Sequence, residues 1–426
     1  MTLDLARAEF ALTVVFHYLL VALTLGLVLL VAITHTRWVR TGNPVYQRMT
    51  RFWGLLYVVN YAVGIGAGIA MEFQLSMNWS GLENFASSVV GAPLAVETVV
   101  AFFAESTFLA LWIFGWRRLP KKAHLAMIWL VVVSAYLSVV WALFANGFMN
   151  HPVGYERTGD SLRLVDVGAL LTNYNAWIAI AHIVFGALAT GGFFMLGVSA
   201  ILRRRGRADA EFVRRSMRTG AHAACWGSIL AVGVGAIQLE AVTKEQPVKF
   251  AAFIGAQDEL DAFADKLRQQ FGQVDMPPSG LVRYAALSMV AIGVLMLVFG
   301  IWSLIATRKG RVMSSTVLPR LLVPVLVLPF LANIAGWVFR EVGRQPYAVY
   351  QLFTTGQALS PSATTAGLAV SLAVFVTLVG TLLVVDWWLL AKLVRRGPDE
   401  GVDLWAAGSD ERPGDRDENV DVAVLV

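Results

Sequence analysis

The chain has little charge and almost no cysteine. Asp, Glu, Lys and Arg make up 15% of its 426 residues, against about a quarter in an ordinary soluble domain. The single cysteine, Cys225, excludes an internal disulfide framework and any multi-cysteine metal cluster. No phosphate-cradling glycine loop and no fixed-period repeat occurs, and no nucleic-acid partner is expected. No cleavable signal peptide is expected either, because Asp4 and Glu9 flank the first apolar run where a signal would carry basic residues. The formal charge of +5 hides an asymmetry: residues 397–426 hold nine Asp or Glu against two Arg, about −7, which leaves about +12 for the body.

What the chain has in abundance is apolar sequence, 57% of the whole. Runs long enough to cross a bilayer, about 20 residues, occur near 11–35, 53–75, 91–115, 123–147, 176–201, 219–241, 282–306, 319–340 and 365–391. The connecting segments alternate in basic content. Segments 36–52, 116–124 and 307–320 hold four Lys or Arg each and 202–218 holds seven; 76–90 holds none, 148–175 two and 341–364 one. Basic loops stay in the cytoplasm. The pattern predicts an all-α integral membrane protein of nine transmembrane helices, N-terminus outside and C-terminus cytoplasmic, over residues 1–396. Segment 242–281, with four basic residues over its length, is one outer loop, too long for a plain connector. Residues 397–426 are acidic and contain Gly and Pro, and are expected to form a disordered cytoplasmic tail.

Polar residues inside the runs carry the chemistry. His35, His124 and His222 fall at inner helix ends and His151 in an outer loop, whereas His17 and His182 lie within spans. These two are six or seven residues from the expected outer ends, hence about 10 Å deep. Glu97 enters its span from outside to the same depth, and Glu341 sits where the eighth span meets the outer surface. Each of the four can be read as merely satisfying a neighbour within the bundle. Two His and two Glu at one depth favour function, because such residues are costly in lipid. Imidazoles on separate helices suit axial ligation of haem iron, and no clustered Cys/His spacing suggests zinc. Glu105 follows Glu97 by eight residues, about 80° of rotation and 12 Å of rise on an α-helix. Such a pair suits a proton relay climbing from inside. The plainer alternative is a hydrogen bond from Glu105 to Ser106 or Thr107.

Several blocks then bear a resemblance. "FHYLL", "GAPLAVETVVAFFAESTFLALWIFGW", "ANGFMNHPVG", "AHIVFGALATGGFFMLG", "QPVKFAA" and "EVGRQPY" resemble signature blocks of subunit I of cytochrome bd quinol oxidase, over residues 1 to about 395. The resemblance implies a bacterial multi-pass membrane enzyme that oxidises quinol and reduces O2 to water. It implies two haems b and one haem d, a second membrane subunit, and quinol, O2 and the lipid bilayer as partners. His17 and Glu341 match the residues serving the oxygen-reducing haem pair, and His182 matches an axial ligand of the low-spin haem. Glu97 and Glu105 match the proton-path acids, while Asn146, Trp337 and Arg344 match positions lining the haems. Lys249, with Gln246 in the same block, matches the quinol loop.

Three positions depart from the family pattern. Arg283 matches an Arg of the seventh span, but Ala285 stands where the family has the second low-spin ligand, a Met. Met289, one turn on, is the candidate substitute. Ile254 replaces a glutamate of the quinol loop, and Tyr347 replaces a Trp. These departures keep open a related haem protein with a diverged electron donor or a sensing role. A proton-coupled transporter using the same acids is a further class. It calls for helices broken near the midplane, and Pro93 and Pro346 are expected at span ends instead.

Overall fold

The computed structural model describes residues 1–272, 274–308 and 311–399; the expected tail from residue 400 onward lies outside the described residues. Nine helices long and apolar enough to cross a membrane occur among the described residues: Thr2–Thr41, Pro44–Asn78, Ser80–Phe114, Lys121–Asn150, Val167–Arg205, Ala210–Glu245, Ser279–Arg308, Pro319–Val342 and Thr365–Arg396. Each contains one predicted run and most extend beyond it, because polar capping residues rather than the last apolar residue end them. Asn43 accepts from the Val45 amide at the start of the second span. Asp209 and Thr364 cap the sixth and ninth in the same way, and within the fifth Asn173 caps the long helix Tyr174–Arg205, using donors that a helix start leaves unpaired.

The first span is the hub. It packs against the second, fourth, fifth and ninth, and the fifth in turn packs against the sixth, the sixth against the seventh, and the seventh against the eighth. Small residues set the closest approaches. A Cβ on Gly26 would lie 2.2 Å from the Ala187 carbonyl oxygen, and one on Gly191 would lie 2.6 Å from the Gly26 carbonyl carbon. Backbone contact of this kind is how helices associate where lipid removes the hydrophobic drive. A large apolar core, with Trp53, Tyr57 and Trp112 fully buried, joins the first five spans and takes in residues of the sixth, eighth and ninth, such as Phe212, Phe330 and Leu390.

Two expectations are corrected. The third span is not a plain α-helix: Ser87–Gly91 and Glu97–Phe102 are π-helical, so Pro93 lies within the span and the α-helical rotation between Glu97 and Glu105 does not apply. The eighth span is interrupted at Leu326–Val327, between helical segments Leu318–Val325 and Leu328–Val342. Pro324 and Pro329 flank the break, and prolines cannot donate to the helical ladder. The segment 242–281 holds two helices, Pro247–Ile254 and Gln257–Phe271. Short hairpins, Tyr155–Thr158 with Ser161–Leu164 and Tyr347–Val349 with Phe353–Thr354, brace the loops after the fourth and eighth spans.

The glycine crossing makes a stability prediction. Gly191→Val should destabilise the chain by about 1–3 kcal/mol or more, since the added carbons meet backbone that cannot yield. Gly233→Ala, where a Cβ meets nothing within 4 Å, should leave the unfolding temperature unchanged or slightly raised. Thermal unfolding in detergent distinguishes the two; equal midpoints would remove the crossing as a determinant of packing.

Candidate functional site

The eighth span ends in "FREVGRQPY", and its polar residues form one network with their neighbours. Glu341 accepts from Arg344 Nη2 at 2.7 Å and from Asn146 Nδ2 at 2.9 Å. Arg340 donates through Nε to Asn146 Oδ1 at 2.7 Å and through Nη2 to Asn175 Oδ1 at 3.3 Å. Asn150, one turn after Asn146, donates to the Asn146 carbonyl at 3.0 Å. Its own groups receive the loop: Gln246 donates to the Asn150 carbonyl at 2.8 Å, and Lys249 lies 3.5 Å from Asn150 Oδ1 and 3.0 Å from the Arg340 carbonyl. Gln246, Lys249, Asn150 and Arg344 are all buried. Five residues singled out from sequence therefore meet in one hydrogen-bonded chain: Gln246, Lys249, Asn146, Glu341 and Arg344. Arg340 and Asn150 were missed; Arg340 adjoins Glu341, and a charged pair at a span end is the signal that marks it.

The histidines lie beside glycines. A Cβ on Gly68 would be 3.1 Å from His17 Cε1, and one on Gly235 would be 3.1 Å from His182 Cε1. His17 is fifteen residues into its helix, because the helix begins at Thr2 rather than near residue 11, and its Nδ1 is buried without a hydrogen-bond partner. His182 Nδ1 sits 3.0 Å from the Ala231 carbonyl. A carbonyl only accepts, so Nδ1 carries the proton and Nε2 keeps a free lone pair, the arrangement that orients a metal-binding imidazole. Arg340 lies within electrostatic reach of both His182 and Tyr18, the neighbour of His17. Met289 Sδ would be 3.0 Å from a Cβ on Gly336, just before Trp337, and Trp337 packs against Phe10 with ring centroids 6.4 Å apart. Arg283 stands apart. It is exposed, lies against Gly255, and no described hydrogen bond joins it to the network.

Glu97 and Glu105 are held by different neighbours. Ser138 of the fourth span donates to Glu97 Oε1. Glu105 is 6% exposed and accepts from Tyr57 Oη at 3.3 Å. Ser106, one of the expected partners of Glu105, pairs with Tyr61 at 3.2 Å instead. The two carboxylates remain within electrostatic reach of each other. Serine and tyrosine hydroxyls both donate and accept, so each acid has a proton-exchanging neighbour. Among the described residues no group of three His, Cys, Asp or Glu could hold a bare metal ion.

These features fit haem. A planar macrocycle needs imidazoles with free lone pairs on separate helices, small residues beside them, and cations for its carboxylates. Gly68 and Gly235 supply the small residues, and Arg344 has buried Nε and Nη1 atoms with no hydrogen-bond partner.

Comparison with known proteins points the same way. The sequence profile described as Cytochrome bd terminal oxidase subunit I matches residues 5–267 and 259–398. The cytochrome bd ubiquinol oxidase subunit 1 of Bacillus subtilis is 35% identical, over 93% of this chain and 94% of the relative. The cytochrome bd-II ubiquinol oxidase subunit 1 of Escherichia coli is 32% identical, over 93% of this chain and 97% of the relative. The solved bd oxidase structure from Geobacillus thermodenitrificans superposes with a TM-score of 0.81 at 24% identity, covering 93% of this chain and 98% of that one; that likeness speaks for the fold.

Lys249 makes a pH prediction. Burial, reinforced by the nearby Arg340 charge, pulls its ammonium well below the ordinary 10.5. The unfolded chain therefore holds this proton over a range where the folded chain has released it. That contribution to stability is present above 10.5 and is lost as pH falls through the depressed value. The difference in unfolding temperature between Lys249→Met and the parent should be largest at low pH, favouring the variant, and shrink towards pH 10. A difference constant with pH would mean that Lys249 folds without proton release.

Proposed function

Because the chain belongs to the cytochrome bd terminal oxidase subunit I family, we propose that it is the haem-bearing subunit of a quinol oxidase that reduces O2 to water in a bacterial membrane. The observation that carries this reading is the continuous hydrogen-bonded path from Gln246 and Lys249 through Asn150 and Asn146 to Glu341. It ties the loop assigned to quinol to the span end assigned to the oxygen-reducing haems.

The proposed cofactors are two haems b and one haem d; bound, they supply one-electron transfer and an iron centre for O2. His17 and Glu341 serve the high-spin pair, with Asn146, Trp337 and Arg344 around it and Arg344 offering its unpaired guanidinium nitrogens to a haem carboxylate. His182 and Met289 would hold the low-spin haem; Arg283, which matches the family pattern in sequence, stands apart from both on an exposed face. At the quinol site Gln246 Oε1 is buried with no partner, free to accept a hydrogen bond from a quinol hydroxyl. Lys249, whose burial favours the neutral amine, is the group that takes up a quinol proton and releases it outward.

Residues 1–396 form the membrane domain with 242–281 as the outer quinol loop, the N-terminus lies outside, and 397–426 is a cytoplasmic tail. Protons for water rise from the cytoplasm by way of Glu105, with Tyr57 beside it, and then Glu97, with Ser138. Quinol protons leave on one side and water protons enter from the other, so turnover charges the membrane without a pump. A second membrane subunit covers the third and ninth spans, whose most apolar stretches are only 12% and 11% buried. Glu97, on the third span, is only partly buried, and a carboxylate turned to lipid is costly.

Haem counting tests the ligands. His17→Ala should lose a high-spin haem and His182→Ala the low-spin haem, by pyridine haemochrome; full haem content in His17→Ala would remove that ligand assignment. Met289→Leu should convert the low-spin signal to high spin in electron paramagnetic resonance, and an unchanged spectrum would reject the thioether. Glu105→Gln cannot pass a proton. It should slow O2 consumption by roughly 100-fold with the KM for quinol held. Parent-like consumption would make Glu105 structural.

A further inference from the structure

We propose that the cavity lined by Arg37, Tyr46, Arg214, Arg215, Arg218 and His222 binds the phosphodiester headgroup of an anionic phospholipid. The cavity encloses about 330 Å³ at the end of the bundle where the first span gives way to the second and the sixth begins. Three helices line it, and two of them supply cations. Arg37 comes from the first span and Arg214, Arg215 and Arg218 from the sixth, while Tyr46 at the start of the second span is shared between two of them. Its ring centroid is 4.6 Å from the Arg215 guanidinium and 5.8 Å from that of Arg37.

Among the described residues, the charge lining this cavity is not balanced. Glu211 bonds Arg214 at 2.8 Å and also Arg215, leaving four arginines against one glutamate, a net of +3. Arg37 is fixed by donating to Thr219 at 3.1 Å. Arg218 and His222 make no side-chain hydrogen bond among the described residues. Converging like charges repel unless an anion joins them. Membrane orientation needs basic residues in a loop, but it does not need them drawn from separate helices onto one concavity. Arginine forks match phosphate oxygens two at a time, and basic pockets between helix ends at the headgroup level suit anionic lipids. Inorganic phosphate shares this chemistry; the position at the ends of the spans, where headgroups are concentrated, selects the lipid.

The test uses the purified full chain in its native assembly, in neutral detergent, titrated with phosphatidylglycerol, phosphatidylcholine or inorganic phosphate. Phosphatidylglycerol should raise the unfolding temperature, and native mass spectrometry should retain it as an adduct. In the Arg37→Gln/Arg218→Gln variant the half-maximal concentration should rise about tenfold, equivalent to the loss of one good contact. Arg163→Gln, on the exposed hairpin of the opposite end, should respond like the parent. If the double variant fails to fold, Arg37→Lys/Arg218→Lys keeps the charge while removing the forks, and should still show weakened binding. An equal phosphatidylglycerol response in parent and variant would overturn the site. So would an equal effect from inorganic phosphate, or no lipid response in the parent, as expected if the acidic tail fills the cavity.

Discussion

The arrangement of this end of the bundle depends on one problem, the placing of the Glu341 carboxylate among apolar helices. An unpaired ion there would cost several kcal/mol even after relaxation. Arg344 answers it at 2.7 Å, and Arg340 does so both at 3.8 Å from the carboxylate and through Asn146, which turns its amide so that Nδ2 serves the carboxylate and Oδ1 the guanidinium. With Oδ1 turned this way, Asn150 one turn on donates to it at 3.3 Å as well as to the Asn146 backbone carbonyl, and Gln246 and Lys249 follow. The loop is thus docked by polar contacts that begin at a single buried charge. Apolar packing of Val248, Ala251 and Ala252 in the same loop helix adds to the docking without setting its register.

Much of this was legible in the sequence. Nine apolar runs and the alternation of basic loops gave the number of helices, because a continuous apolar run of about 20 residues satisfies its backbone in hydrocarbon as a helix, whereas a barrel is built from shorter, alternating strands. The acids and histidines were legible because ionisable residues in such runs are costly. Partners were harder to see. Asn150, Ser138 and Tyr57 are polar but uncharged residues near or within spans, and nothing in composition separates them from others that only bond their own helix, as Ser134 does to Leu130. The π-helical turns escaped as well. Glu97–Phe102 holds no Pro or Gly to mark a change of helix type, and it packs against the fourth span. Such turns recur at functional sites, and this one starts at the carboxylate that meets Ser138. The break in the eighth span was marked by Pro324 and Pro329, but it lies away from Glu341, so the segment that presents the carboxylate stays a regular helix.

The departures from the family pattern at the quinol side take on a different weight once the geometry is known. Lys249 and Ile254 share a short helix, five residues apart, which rotates one about 140° from the other. Lys249 is 2% exposed and faces Asn150 and the Arg340 carbonyl, whereas Ile254 is 44% exposed. A glutamate at 254 would therefore not face Lys249, and the isoleucine removes no partner from it. The substitution changes the surface the loop offers to the outside, not the buried end that meets Glu341. Ala285 is different, since it is buried in the cluster formed by the loop helix and the eighth span. Met289, one turn along, belongs to the border of that cluster, and Gly336 leaves room for its sulfur. The loop side of the network is thus intact in this chain. The departure at Ala285 lies on the seventh span, apart from the contacts that Lys249 makes with Asn150 and the Arg340 carbonyl.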